Sequence, residues 1–286
     1  MNLSPKFSVC RRGPVWSLSL LIAVQLFSQS AQAWTYTLED DNSKVTLTAD
    51  SEEGMRNWCV DGVDQLYKQW FWYRVGSTGR ERSINTLGLD NVIQLSENSL
   101  FAEYGDSRFV IEATFTLMGG AMGSGESSIG EQIRIKNISS TPLDFHFFQY
   151  TDFDLNGSAP GDTVQLFQDS MGLFTEALQI KGNIRFADTI VSPGANHGEA
   201  GIATAPNSLN VRLNNSTPTT LSDFSGPLTG DADWAFQWDR VLAPGAYLNI
   251  YIVKDSFVVP EPGTLSLLAV GLIAFGVARR SRQLRG

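Results

Sequence analysis

Asp152, Asp154 and Asn156 put side-chain oxygens at alternate positions; Gly157 follows, and Asp162 stands six residues beyond Asn156. Hard oxygen donors closed by a glycine suit a Ca²⁺ ion, and this spacing matches the opening of an EF-hand loop. Thr163 occupies the twelfth place, where such a loop has glutamate, and the flanks alternate like strands. A complete EF-hand is therefore disfavoured. One reading is a weaker calcium loop at a strand end, formed by Asp152, Asp154, Asn156 and Asp162. In an unbroken strand Asp152 and Asp154 stand about 7 Å apart, so the chain must bend near Asp154 for them to share an ion. Gly157 and Pro160-Gly161 permit the bend and the return. The competing reading makes the aspartates solvent-facing residues of an acidic turn.

A second group is Trp70-Phe71-Trp72-Tyr73. On a strand Trp70, Trp72 and Arg74 share one face, with Phe71, Tyr73 and Val75 on the other. If exposed, Trp70 and Trp72 would stack on sugar rings and bind glycan; apolar residues on both faces also describe a central core strand. Trp234, Phe236 and Trp238 share a face opposite Gln237 and Asp239, which predicts an inward aromatic stripe. His146 reads as a core or edge histidine and His197 as a solvated loop residue. With the two histidines so far apart in sequence, a zinc site is disfavoured. Cys59, between Trp58 and Val60, reads as a buried apolar residue. No G-x-S-x-G elbow is present, which disfavours a familiar serine hydrolase. Carboxylates are so numerous that some pair will meet glycosidase spacing by chance, so no catalytic acid or base is nominated.

The elements carrying these residues read as β throughout. Short alternating or apolar runs lie at 35–39, 44–49, 66–75, 92–95, 99–104, 109–117, 129–137, 143–155, 163–168, 173–180, 184–186, 208–213, 234–240 and 247–253. Gly, Pro, Asn, Asp and Ser separate them. This predicts an all-β body, residues 34–258, folded as one antiparallel β-sandwich. Runs 109–117 and 129–137 should form a hairpin across a glycine-rich link, and 234–240 should pair with 247–253 across Ala243-Pro244-Gly245. Residues 193–232 are the least ordered by composition and read as loops within the same domain.

The two ends differ from the body. Lys6, Arg11 and Arg12 precede an apolar run at 15–27, and Ala31-Gln32-Ala33 follows. That is the order of a secretory signal peptide, residues 1–33, cut by signal peptidase after Ala33 to leave Trp34 first. At the other end Pro260-Glu261-Pro262 breaks the chain. Residues 264–278 then carry no charge, and Arg279, Arg280, Arg282 and Arg285 follow. This reads as a short transmembrane helix with its arginines on the cytoplasmic side. Between the ends, the body carries a net charge of about −15. Such a charge excludes nucleic acid as a partner and suits solubility outside the cell or divalent cations.

The tail resembles the PEP-CTERM sorting signal of exported bacterial proteins. Pro260-Glu261-Pro262, the apolar run 264–278 and the four arginines stand in the order of that signal. The resemblance implies recognition by an exosortase, an integral-membrane protease that cuts at or near the motif, in bacteria that make exopolysaccharide. The protein would be held in the inner membrane before processing and reach the cell surface or extracellular space afterwards. The resemblance covers residues 259–286 and carries nothing over to the body. For the body the leading reading is a structural protein of the surface or extracellular matrix. A glycan-binding module comes second and a polysaccharide-acting hydrolase third.

Overall fold

The computed structural model describes residues 34–258. The signal peptide with Ala31 and Ala33, the motif Pro260-Glu261-Pro262, the apolar run 264–278 and the terminal arginines lie outside the described residues. Among the described residues no helix is long and apolar enough to cross a membrane.

In chain order the strands are β1 Thr35–Asp40, β2 Ser43–Thr48, β3 Gly54–Val60, β4 Val63–Asp64, β5 Leu66–Val75, β6 Arg82–Ser83, β7 Gly88–Ser96, β8 Ser99–Gly105 and β9 Phe109–Gly119. Then come β10 Ser127–Asn137, β11 Leu143–Phe153, β12 Asp162–Gln168, β13 Phe174–Lys181, β14 Ile184–Ser192 and β15 His197–Ile202. One α-helix, α1 Leu209–Asn214, precedes β16 Leu228–Gly230, β17 Ala232–Leu242 and β18 Tyr247–Val258, and two short 3-10 turns stand at Ile84–Thr86 and Leu155–Gly157 among the described residues. The strands form two antiparallel sheets. The first runs β1-β2-β3-β5-β11-β17-β15, with β4 on β3 and β6 on β5. The second runs β16-β12-β13-β14-β18-β10-β9-β8-β7.

Alternation explains the packing. Along β9, β10 and β18 every second residue is buried, so each strand turns one row of side chains to the core. Facing it, β5 and β11 supply an aromatic layer. Phe71 stacks on Phe147 at 5.4 Å, and Phe145 meets Phe109 edge-on at 4.9 Å across the sheets. The predicted stripe on β17 is inward: Trp234 packs on Phe153 and Trp238 on Phe147. Cys59 is buried.

The 109–117 and 129–137 hairpin is present, β9 pairing with β10 from Phe109↔Asn137 to Gly119↔Ser127. The second expected hairpin is not. β17 pairs with β11 and β15 in the first sheet, while β18 pairs with β10 and β14 in the second. Ala243-Pro244-Gly245 is therefore a corner between sheets. Asn137 pins it, its carbonyl accepting from Gly245 N at 2.9 Å and its Nδ2 donating to Leu242 O at 2.8 Å. Run 208–213 is also corrected, from strand to helix α1. The Ser208 side chain caps it by accepting from Val211 N, and Leu209 and Leu213, one turn apart, are its buried pair. Leu209, Val211 and Leu213 alternate with Asn210 and Arg212, a period that also describes a strand, and the Ser208 cap decides for the helix.

Residues 193–232, expected to be loops, hold β15, α1 and β16. The 203–227 stretch lies across the sheet face that carries Trp72, Arg74 and Gln237. Trp72 Nε1 donates to Asn214 Oδ1 at 3.0 Å, and Leu221 N donates to Gln237 Oε1 at 3.0 Å. Arg74 and Glu81, both buried, pair at 2.9 Å, and Glu81 also accepts from Thr219 N.

A charged group sits between the sheets. Lys254 Nζ lies 3.0 Å from Glu131 Oε1 and 3.5 Å from Asp188 Oδ2, all three side chains inaccessible to solvent. Asp188 also accepts from Gln149 Nε2 at 2.7 Å. Burial pushes Glu131 from 4.5 up to about 7, against the opposing pull of Lys254. The folded protein thus holds a proton on Glu131 more tightly than the unfolded chain does, so this contribution to stability falls as pH rises from about 4.5 to 7. Thermal unfolding of wild type and Glu131→Gln between pH 4.5 and 8 should show the wild-type midpoint losing ground to the variant over that window. Parallel curves would refute this.

Candidate functional site

The acidic residues singled out by spacing gather where β11 ends. Asp152 is in β11, directly opposite Asp233 on β17 and Lys68 on β5. A bulge follows between Asp152 and Phe153, and Asp154 leaves extended geometry at φ −104°, ψ 74°. The bend required of the chain is therefore present. It brings Asp152 and Asp154 together with Asp231, which lies between β16 and β17. Carboxylate oxygens of the three lie within 4.8 Å of one another. Tyr150 holds the base of the group, its hydroxyl lying 3.1 Å from both Asp152 Oδ2 and Asp233 Oδ2, with one proton to share between them. Gly201, paired with Asp233, makes room for it: a Cβ there would stand 2.3 Å from Asp233 Oδ1.

Of the other two residues of the expected calcium loop, Asp162 is engaged elsewhere and Asn156 lines a neighbouring groove. Asp162 is buried against Lys181 Nζ at 3.0 Å and accepts from Gln179 Nε2 and Leu155 N. Asn156 adopts the left-handed conformation at φ 61°, and its backbone N donates to Gln65 Oε1 at 2.7 Å. Asp231 was not singled out because it is some eighty residues away in sequence, and only the β11–β17 register places it. Burial is the main cause that raises the carboxyl of Asp152 well above the ordinary range, with the charges of Asp233 and Asp154 next. Burial first, and then Asp231, push Asp154 up to about 6. Burial likewise pushes Asp233 up to about 7, against the Tyr150 hydrogen bond.

The group lines a hollow of about 340 Å³ with Tyr67, Thr204 and Asn210. Tyr67 and Asp154 also line a neighbouring groove of about 770 Å³, walled by Glu52, Arg56, Asn57, Asp64, Lys68 and Asn156 among others. Tyr67 is 64% exposed, a large aromatic ring standing open beside polar walls. Trp70 and Trp72 are both 0% exposed, which makes them core residues of a central strand and rules them out as a glycan platform. Trp70 packs edge-on against Tyr104, and Trp72 lies under Lys68 and against Tyr150. The open aromatic is Tyr67, at the outer end of the same strand. The histidines, distant in sequence, converge on Asp239: His146 Nδ1 lies 2.6 Å from its Oδ1 and His197 Nε2 3.4 Å from its Oδ2. Burial alone would raise the Asp239 carboxyl, but hydrogen bonds from His146 and Gln237 outweigh it and hold it below the ordinary value.

Residues 258–282 match the family model of the PEP-CTERM protein-sorting motif. The chain carries a PEP-CTERM tail. That tail marks an exported protein sorted through the membrane and implies processing by an exosortase. No curated protein matches this chain at a significant level. Among solved structures, a bacterial glucoamylase complexed with acarbose shares the fold at TM-score 0.59 and 10% identity. The match covers 84% of this chain and 34% of that one, so this PEP-CTERM protein spans about a third of the enzyme's length. The Slr1438 protein from Synechocystis sp. PCC 6803 matches at TM-score 0.50 and 11% identity, over 83% of this chain and 100% of that one. At such identities the likeness is one of fold.

Proposed function

We propose that this PEP-CTERM protein is an exported surface or extracellular-matrix protein whose body binds a glycan in the groove beside Tyr67. Signal peptidase releases Trp34 as the new N-terminus, exosortase acts at Pro260-Glu261-Pro262, and the body reaches the outside. The observation that carries the glycan reading is Tyr67, an open aromatic ring between two hollows walled by carboxylates, amides and an arginine. An apolar ring face accepts the C–H face of a sugar. Around it, Asp154, Asp64, Glu52 and Asn210 accept from hydroxyls, while Asn57, Asn210 and Arg56 donate to ring and hydroxyl oxygens. The glucoamylase fold likeness supports a scaffold that sugar-related proteins use, without bringing that enzyme's activity along.

The test is a titration of the full-length protein with exopolysaccharide from the producing cells, reading binding and sugar release together. Saturable binding without released sugar is expected, weakened about tenfold or more by Tyr67→Ala, the loss of one good stacking partner. Binding unaffected by Tyr67→Ala would remove this groove from the proposal. Release of reducing sugar would turn the reading to a hydrolase.

A further inference from the structure

We propose that Asp152, Asp154 and Asp231 form a binding site for a divalent hard cation, Ca²⁺, at the mouth of the 340 Å³ hollow. Two aspartates directly opposed on neighbouring strands, Asp152 and Asp233, repel one another unless something offsets the charge. The register offers a cation, since Lys68 is the partner of Asp152 on its other side. Lys68 does not serve it: its ammonium pairs with Glu52 at 3.0 Å, bonds Asn210 and lies over the Trp72 ring. Lys181, the other nearby ammonium, pairs with Asp162. Among the described residues no ion pair reaches Asp152, Asp154 or Asp231, and Lys181 acts on Asp154 only from a distance.

A second, independent observation points to a ligand. Asp152 is 3% exposed and lines the hollow, yet its Oδ1 has no donor, since Tyr150 serves only Oδ2. A carboxylate oxygen taken out of water without a partner is costly, and a metal ion is one of the two things that satisfy it. The geometry is right for one. Oxygens that bind one Ca²⁺ at about 2.3–2.6 Å are at most about 5 Å apart, and the three carboxylates meet within 4.8 Å. An all-oxygen, all-carboxylate set selects hard cations over zinc or copper. Asp154 and Asp231 sit at a bend and a strand junction, a flexible frame that suits the variable coordination of Ca²⁺ better than the rigid octahedron of Mg²⁺. Solvent and the Thr204 side chain in the hollow supply further oxygens.

The inference is independent of glycan recognition, because the metal is tested alone. Full-length protein, stripped with chelator, is titrated with CaCl₂ and with MgCl₂ by calorimetry, and its thermal midpoint is read in 2 mM calcium and in chelator. Expected are saturable calcium binding with a Kd of about 10⁻⁴–10⁻³ M or tighter and a midpoint that rises with calcium. Asp231→Asn, at a half-exposed position, should weaken binding tenfold or more while the protein stays folded; Asp154→Asn should do the same. Asp90→Asn, an exposed carboxylate on β7 at the sheet edge opposite β16, should leave calcium affinity unchanged. Absent calcium heat with equal midpoints overturns the proposal, as does a calcium effect that survives Asp231→Asn and Asp154→Asn. Calcium binding that persists when glycan binding fails leaves the cation site standing and the glycan reading refuted.

Discussion

Replacing Lys254 with methionine is expected to destabilise the protein by about 3–5 kcal/mol, enough to unfold a marginally stable domain near body temperature. The side chain is inaccessible, and its ammonium is the positive charge facing both Glu131 and Asp188. Methionine matches its length and lacks its charge, so two buried carboxylates lose their partner. Protonating them is the route left, which raises both pKa values further and makes the variant far more stable in acid than at neutrality. Chemical denaturation of wild type and variant at pH 5 and pH 7.5 measures the effect. The triple variant Lys254→Met, Glu131→Gln, Asp188→Asn should recover much of the loss, since a buried ion network removed whole costs far less than one broken. A Lys254→Met protein as stable as wild type at pH 7.5 would show that the network carries no such energy.

Replacing Glu261 with alanine is expected to leave an exported precursor that keeps its tail and stays in the membrane fraction. Glu261 stands between two prolines within the matched sorting motif. Prolines on both sides fix the backbone and withhold donors, so the glutamate side chain is the charged group a protease can read there. Loss of that charge removes the recognition feature without touching the body, whose last described strand is β18. Mass spectrometry of cell fractions and medium distinguishes cut from uncut protein. Processing and location identical to wild type would mean that the tail acts as a plain anchor.

Much of the fold was legible from alternation. Strand 66–75 has the bounds of β5, and the inward stripe follows from the alternation of Trp234, Phe236 and Trp238 with smaller or polar residues in the sequence, although β17 is buried on both faces. Alternation fails where strands are short or polar. β3 was not read because Gly54-Met-Arg-Asn57 mixes types, and β15 because His197-Gly-Glu-Ala-Gly carries little apolar signal. Both exist because neighbouring strands supply their hydrogen bonds. The corner at 243–245 looked like a hairpin because a proline-glycine turn has the same local chemistry whether it joins neighbours in one sheet or opposite sheets of a sandwich.

The candidate site divides the same way. Sequence by itself determined the all-β class, the acidic body and the sorting tail, and it put Asp152 and Asp154 close along the chain, because these rest on composition, period and local spacing. Only the tertiary structure decided which residues complete the site. It brought in Asp231 through the pairing of β11 with β17 and sent Asp162 to Lys181. It also buried Trp70 and Trp72 while leaving Tyr67 open on the same strand. Those outcomes depend on which strand lies beside which and on what covers each face. Strand register and the cover over a sheet are properties of contacts between residues far apart in the chain, which local spacing does not encode.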